Sequence, residues 1–357
     1  MGNEVYRPKN RRGKRLRRLL LVLLLAVVVA AIALFFICQK YLVYTDDGVQ
    51  IDPNAAQAAS GGAAPRPAVS PMIVDVEVEI GKTDFTTLVT DAGNDLEPLH
   101  GRYLTADQIT AENLRSAAAQ VKAAGGDMLV LQMKPASGQL SWKSAVELAD
   151  EIDANGTLEL AETISELQAD GVRFGAAVSC LADTKLADAD EAFALKSDGT
   201  PYTDGSGSWL DPSNDQVKAY TQSLCKELAE MGFEEIFCSF LQTPATTADL
   251  ELGDDVTRSD AVMSFGRDLR RGLRGTGAKL SIICSTDSIA YDRAGQTGQD
   301  LALLPRVFDR LCVFTDAGTL SMLQEKMTAA YEALDTETRV APFVPAKRDD
   351  GCWILTT

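Results

Sequence analysis

Two hydrophobic periods organise this chain. An unbroken apolar run, LLLVLLLAVVVAAIALFFIC, fills residues 19–38. At about 1.5 Å rise per residue it spans roughly 30 Å, the hydrocarbon thickness of a bilayer, and so predicts one transmembrane helix. Tyr41 and Tyr44 follow it, where an interfacial aromatic belt belongs. Farther along, short β-rich runs alternate with amphipathic segments. Strands are predicted at 101–104, 128–133, 172–180, 235–241, 279–285, 310–315, 339–344 and 352–356. Helical spacing of apolar positions marks 111–124, 158–169, 214–231, 258–274 and 319–334, with a shorter segment at 299–304. The second and fifth strands are nearly continuous apolar runs, as parallel strands covered on both faces are. Eight strand–helix units predict an α/β fold, a (β/α)8 TIM-like barrel over 99–357. A doubly wound sheet is the rival, but no GxGxxG loop follows the first strand. Only residues 345–351 separate the last two strands, too few for a crossover helix, so an irregular C-terminal end is expected.

Between anchor and barrel the pattern predicts three further pieces. A juxtamembrane hairpin is expected within 39–53, turning at Asp47-Gly48. Residues 54–71 hold mostly Ala, Gly, Pro and Ser without an apolar period and read as a flexible linker. A strand or cap segment follows at 72–98, where IVDVEVEI at 73–80 alternates strictly.

Charge sharpens this division. The net charge is −17, yet residues 1–18 hold eight of the 34 basic residues and one of the 51 acidic ones. The head is therefore +7 and everything after it −24. The positive-inside rule places the head in the cytoplasm and the barrel outside the cell membrane, as a single-pass protein. The alternative is a cleaved signal peptide, whose apolar region is shorter and is followed by small residues, whereas this run ends in Phe-Phe-Ile-Cys. The acidic body excludes nucleic acid as partner, since phosphate affinity needs clustered cations. Five of the six cysteines beyond the span lie in short apolar runs, where a thiol acts as a small buried hydrophobe. No CxxC occurs and His100 is the one histidine, so neither a zinc site nor any other cofactor is expected. The lone histidine also removes Ser-His-Asp and Cys-His chemistry.

One stretch carries a more specific signal. Residues 196–236 contain Asp198-Gly199, Pro201-Tyr202, then Trp209-Leu210-Asp211-Pro212, then Tyr220, then Gly232-Phe233 and Glu235-Ile236. This resembles a glycoside-hydrolase-like family, formerly a domain of unknown function, whose barrels are similar to those of α-amylases; weaker likeness extends over 100–354. The resemblance implies an acid in the second strand and another in the fourth. Here those positions hold Gln132 and Ser239. The family's lysine is retained as Lys134, while Gln242 stands where the family has an arginine. Glycoside hydrolysis needs two carboxylates flanking the scissile bond. Neither an amide nor a hydroxyl replaces them, so catalysis is expected to be lost or much reduced.

Other acids stand at predicted strand ends: Asp183, Asp211, Asp287 and Asp316. Asp287 and Asp211 are the catalytic candidates, although Asp211 before Pro212 equally suits a helix cap or a turn. Substrate contacts are expected from Trp209 and Tyr202, whose flat rings suit sugar stacking or packing of the loop on the rim, and from Lys134, Gln132, Ser239 and Gln242. Trp142, Arg293 and Gln299 are weaker candidates, and His100 belongs to the opposite face. The expected partner is a polysaccharide or cell-wall glycan, either cleaved or, in the alternative, bound by a catalytically inactive glycan-binding or envelope scaffold protein.

Overall fold

The computed structural model describes residues 42–45, 48–51 and 96–356, which fall in two units, Met1–Ile80 and Gly81–Thr357. The predicted head, span, linker and the alternating run at 73–80 lie outside the described residues. Among those described, no helix is long and apolar enough to cross a membrane. In the first unit β1 (Leu42–Thr45) pairs antiparallel with β2 (Gly48–Ile51), Thr45 opposite Gly48, which is the expected hairpin.

The second unit is a closed barrel of eight parallel strands, one at each predicted position. They are β3 (His100–Leu104), β4 (Met128–Lys134) and β5 (Arg173–Ser179). Two small hairpins then leave the barrel, β6 (Lys196–Ser197) with β7 (Thr200–Pro201) and β8 (Thr203–Asp204) with β9 (Gly207–Ser208). The barrel resumes with β10 (Glu235–Ser239), β11 (Lys279–Cys284), β12 (Leu311–Phe314), β13 (Val340–Val344) and β14 (Trp353–Leu355). Closure comes from β14, which pairs parallel with both β13 and β3. No helix lies between β13 and β14, as the short connection required, yet the strand order is complete. His100 secures that seam: its ring stacks on Trp353 with centroids 4.9 Å apart, and Nε2 shares a 3.0 Å hydrogen bond with the Gly351 carbonyl.

Helices α1 (Ala111–Ala123), α2 (Glu147–Glu151), α3 (Ala161–Ala169), α4 (Thr184–Ala189), α5 (Asp215–Glu230), α6 (Arg258–Gly272), α7 (Thr286–Ala290), α8 (Ala294–Thr297) and α9 (Ala317–Ala330) surround the strands. α1 shows why: Thr110 caps it by accepting from Asn113 N, and Leu114, Ala117, Ala118 and Val121 bury one face at three- and four-residue spacing. The segment expected to be helical at 299–304 is displaced. α8 stops at Gly298, whose φ of +73° favours glycine and ends the helix, and only a 3-10 turn at Leu304–Arg306 follows.

The core has two parts. Inside the barrel Met128, Val130, Phe237, Ile283, Phe343 and Ile354 interdigitate, while a larger apolar layer separates strands from helices. At the N-terminal end of the barrel lumen sits a buried polar plug. Arg310 Nη1 pairs with Glu235 Oε2 at 2.6 Å, and Ser281 Oγ donates to Glu235 Oε1 at 2.5 Å. Arg310 also donates to the carbonyls of Thr338 and Glu97, at 2.9 and 2.8 Å, pinning the chain where it enters the barrel. The six cysteines of the barrel are all buried and unbridged: five as their apolar runs implied, and Cys225 on the buried face of α5.

Candidate active-site cleft

In a parallel barrel the C-terminal strand ends share one face, and loops there build the site. The ends of β10, β11 and β12 enclose an open pocket of about 470 Å³. Ser239, Phe240 and Gln242 form one wall, Cys284 to Asp287 another, and Phe314 the third. Phe314 is 42% exposed, although it ends a barrel strand. Its ring stacks on Phe343 at 4.4 Å, and Tyr103 meets both edge-on at 5.7 and 5.4 Å. These rings cap the lumen and leave Phe314 open to the cleft. Phe240 takes a left-handed backbone, φ +49°, and is backed by Trp209 edge-on at 6.0 Å.

Three of the predicted residues meet in this cleft: Ser239, Gln242 and Asp287. Asp287 lies exposed in the first turn of α7, behind the cap Ser285. Gln299 holds this corner from below: its Oε1 accepts from Ser285 N at 2.8 Å, and its Nε2 donates to the Leu241 and Ile283 carbonyls at 3.3 and 3.4 Å. Gln132 is half-buried at the end of β4, accepts from Ala106 N at 3.1 Å, and does not line the pocket.

The others lie elsewhere. Lys134 is fully buried, paired with Asp183 at 2.7 Å and donating to the Ser179 carbonyl at 2.7 Å, so it presents nothing to a sugar. Gly138, at φ +84°, makes room for that carboxylate; a Cβ there would collide with Asp183 Oδ1. Trp209 is 2% exposed, and its loop is bridged to the rim through Ala182, so it packs the loop rather than offering a face. Tyr202 is half-buried against the outer core. Asp211 does not line the pocket: its Oδ1 accepts from Ser213 N and Oγ at 2.8 and 2.7 Å, fixing a turn, while Asn214 caps α5. Asp316 caps α9 and Asp183 caps α4. Trp142 donates to Glu227 of α5 at 3.1 Å, and Arg293 lies over Tyr291 at 5.3 Å.

The cleft residues that the sequence reading passed over are Phe314 and Phe240. Alternation along β12 carried the signal for the first, since Arg310, Cys312 and Phe314 share the inward row and Phe314 is its last member, at the ligand-bearing end.

Chemically, the lining provides two kinds of contact, hydrogen-bonding hydroxyl and amide groups and an aromatic face. Among the described residues, Asp287 is its one carboxylate and no cation lines it. Burial pushes the Cys284 thiol up to about 12, so it remains a neutral wall rather than a nucleophile near neutral pH. Among the described residues no group of three or more His, Cys, Asp or Glu is placed to hold a metal.

Comparison with known proteins agrees with this architecture. No curated protein matches the sequence. Among solved structures, the glycoside hydrolase domain of PgaB (BpsB) from Bordetella bronchiseptica superposes with a TM-score of 0.53 at 12% identity, over 69% of this chain and 84% of that one, a likeness of fold. A hypothetical protein from Ruminiclostridium thermocellum ATCC 27405 is 22% identical over 51% of this chain and 96% of its own, with a TM-score of 0.47. A GH20 exo-β-N-acetylglucosaminidase from Vibrio harveyi gives 0.48 at 9% identity, over 69% and 41%. The family model described as "Putative glycosyl hydrolase domain" matches residues 101–315, from the first barrel strand to the end of the sixth and more than half of the chain. The chain belongs to this glycosyl hydrolase family.

Proposed function

We propose that this protein binds cell-surface polysaccharide in the cleft at the C-terminal mouth of its barrel without hydrolysing it by the two-carboxylate route. One observation carries the reading: the cleft joins an open aromatic face, Phe314, to the Ser239 hydroxyl and the Gln242 amide, yet among the described residues contains one carboxylate, Asp287. Both retaining and inverting mechanisms need two acids, about 5–5.5 or 6.5–9.5 Å apart. The positions where the family resemblance implies them hold Gln132 and Ser239. Asp211 and Asp316, the other strand-end acids beyond the buried Asp183, are engaged in a turn and a cap.

The full chain, solubilised in detergent and incubated with a panel of bacterial polysaccharides, is expected to retain one of them saturably and release no reducing ends. Release of reducing ends that Asp287→Asn, Gln132→Ala or Ser239→Ala abolishes would identify a working hydrolase instead. The same proposal places the barrel outside the cell, held by residues 19–38, supported by the eight cations before that run. Protease added to intact cells should then remove the barrel; full protection would reverse the orientation.

A further inference from the structure

Resting on the glycan reading of this cleft, we infer that its ligand carries free amino groups: a polysaccharide containing unsubstituted amino sugars, bound through their ammonium. The inference starts from what each strand-end acid does. Asp183 is consumed by Lys134 and by Leu186 N, Asp211 by Ser213, and Asp316 by Gly318 N and Thr319 N. Asp287 differs. Its carboxylate accepts no hydrogen bond and pairs with no cation among the described residues, and it is exposed inside the cleft.

Among the described residues, no Lys, Arg or His lines that cleft to balance it. Arg293, the nearest cation in sequence, lies over the Tyr291 ring and outside the lining. The barrel itself adds to the same field, since residues 96–356 hold 23 basic and 41 acidic residues, a net charge of −18. Uronate or phosphate-bearing glycans are therefore repelled. A neutral glycan offers the Asp287 carboxylate hydroxyl hydrogen bonds but no counter-charge. An ammonium adds a charge-assisted pair at the same place, and the neighbouring Phe314 face attracts the same charge through its ring quadrupole. Ser239 and Gln242, with no side-chain partners among the described residues, remain available for sugar hydroxyls. This combination discriminates an amine from its acetamide, because acetylation keeps the ring and removes the charge.

The test is titration of the full chain at about pH 6, where sugar amines are charged, with equal-length oligomers of glucosamine, N-acetylglucosamine and galacturonic acid. The glucosamine oligomer is expected to bind about tenfold more tightly than its N-acetylated counterpart, with the preference shrinking as salt is added. The galacturonate oligomer should not bind. Asp287→Asn, an exposed isosteric change, should abolish the preference without altering the melting temperature. If the acetylated oligomer binds equally well or better, or if Asp287→Asn leaves the preference intact, the amine inference fails while the glycan reading stands. If none of the three binds, and none of the wider polysaccharide panel is retained, both fail.

Discussion

Replacing Asp183 with alanine is expected to destabilise the barrel by about 3–5 kcal/mol, the usual cost of removing one partner of a buried ion pair. Asp183 and Lys134 are both fully buried, 2.7 Å apart, and the ammonium's other acceptor is the Ser179 carbonyl. The substitution would strand a cation in the interior. It would also free Leu186 N, which the carboxylate caps at 2.9 Å, adding about 1 kcal/mol. For a domain of this size each kcal/mol shifts the melting temperature by about 2–4 °C, so a fall of about 10 °C or more is expected in a thermal melt. The cause can be separated from the cap. In the double variant Lys134→Met with Asp183→Ser, serine keeps a capping oxygen and no charge is buried, so most of the loss should return. An Asp183→Ala protein melting within about 2 °C of the parent would show that the pair is not buried as described.

The second large effect is at the other end of the barrel. Glu235→Gln keeps the shape of the plug but removes the charge facing Arg310. Burial disfavours the Arg310 charge, and the Glu235 carboxylate at 2.6 Å is what sustains it. Losing that partner is expected to cost about 3 kcal/mol, at the low end of the buried-pair range because the Thr338 and Glu97 carbonyls still accept from the guanidinium. Since this plug lies at the face opposite the cleft, glycan affinity measured well below the new melting temperature should be unchanged. A large loss of affinity with little loss of stability would contradict the separation between a structural bottom face and a functional top face.

The strands were legible because their apolar, β-branched runs are sharply bounded, and parallel strands of a barrel are buried on both sides. The short helices α2, α4 and α7 were not, because five or six residues hold too little of a 3.6-residue period. Within the site, position along the chain was easier to read than direction. Lys134 shares parity with Met128, Val130 and Gln132, which would aim it into the mouth. The pairing of β4 with β5 shifts between Gln132 and Lys134, so that Gln132 faces Ala177 and Lys134 faces Val178. Ala177 belongs to the barrel interior and Val178 to the outer layer, so this one-residue bulge turns Lys134 away from the lumen and towards Asp183. Trp209 stayed open in the sequence for a related reason. A loop tryptophan suits sugar stacking and rim packing equally well there, and its near-complete burial with the bridge to Ala182 decides for packing. Phe314 was hidden in the opposite way, as one more apolar residue in a strand whose last position happens to open on solvent.

The most direct test of the account is the affinity of a Phe314→Ala variant for the polysaccharide that the parent retains, measured by calorimetric titration. Phe314 is the exposed aromatic face of the cleft and is 42% exposed, so its truncation should leave the fold within about 4 °C of the parent. The account predicts saturable binding by the parent and at least about tenfold weaker binding by the variant, as expected for a lost stacking surface. Undiminished binding by Phe314→Ala would place the glycan elsewhere on the molecule and contradict it.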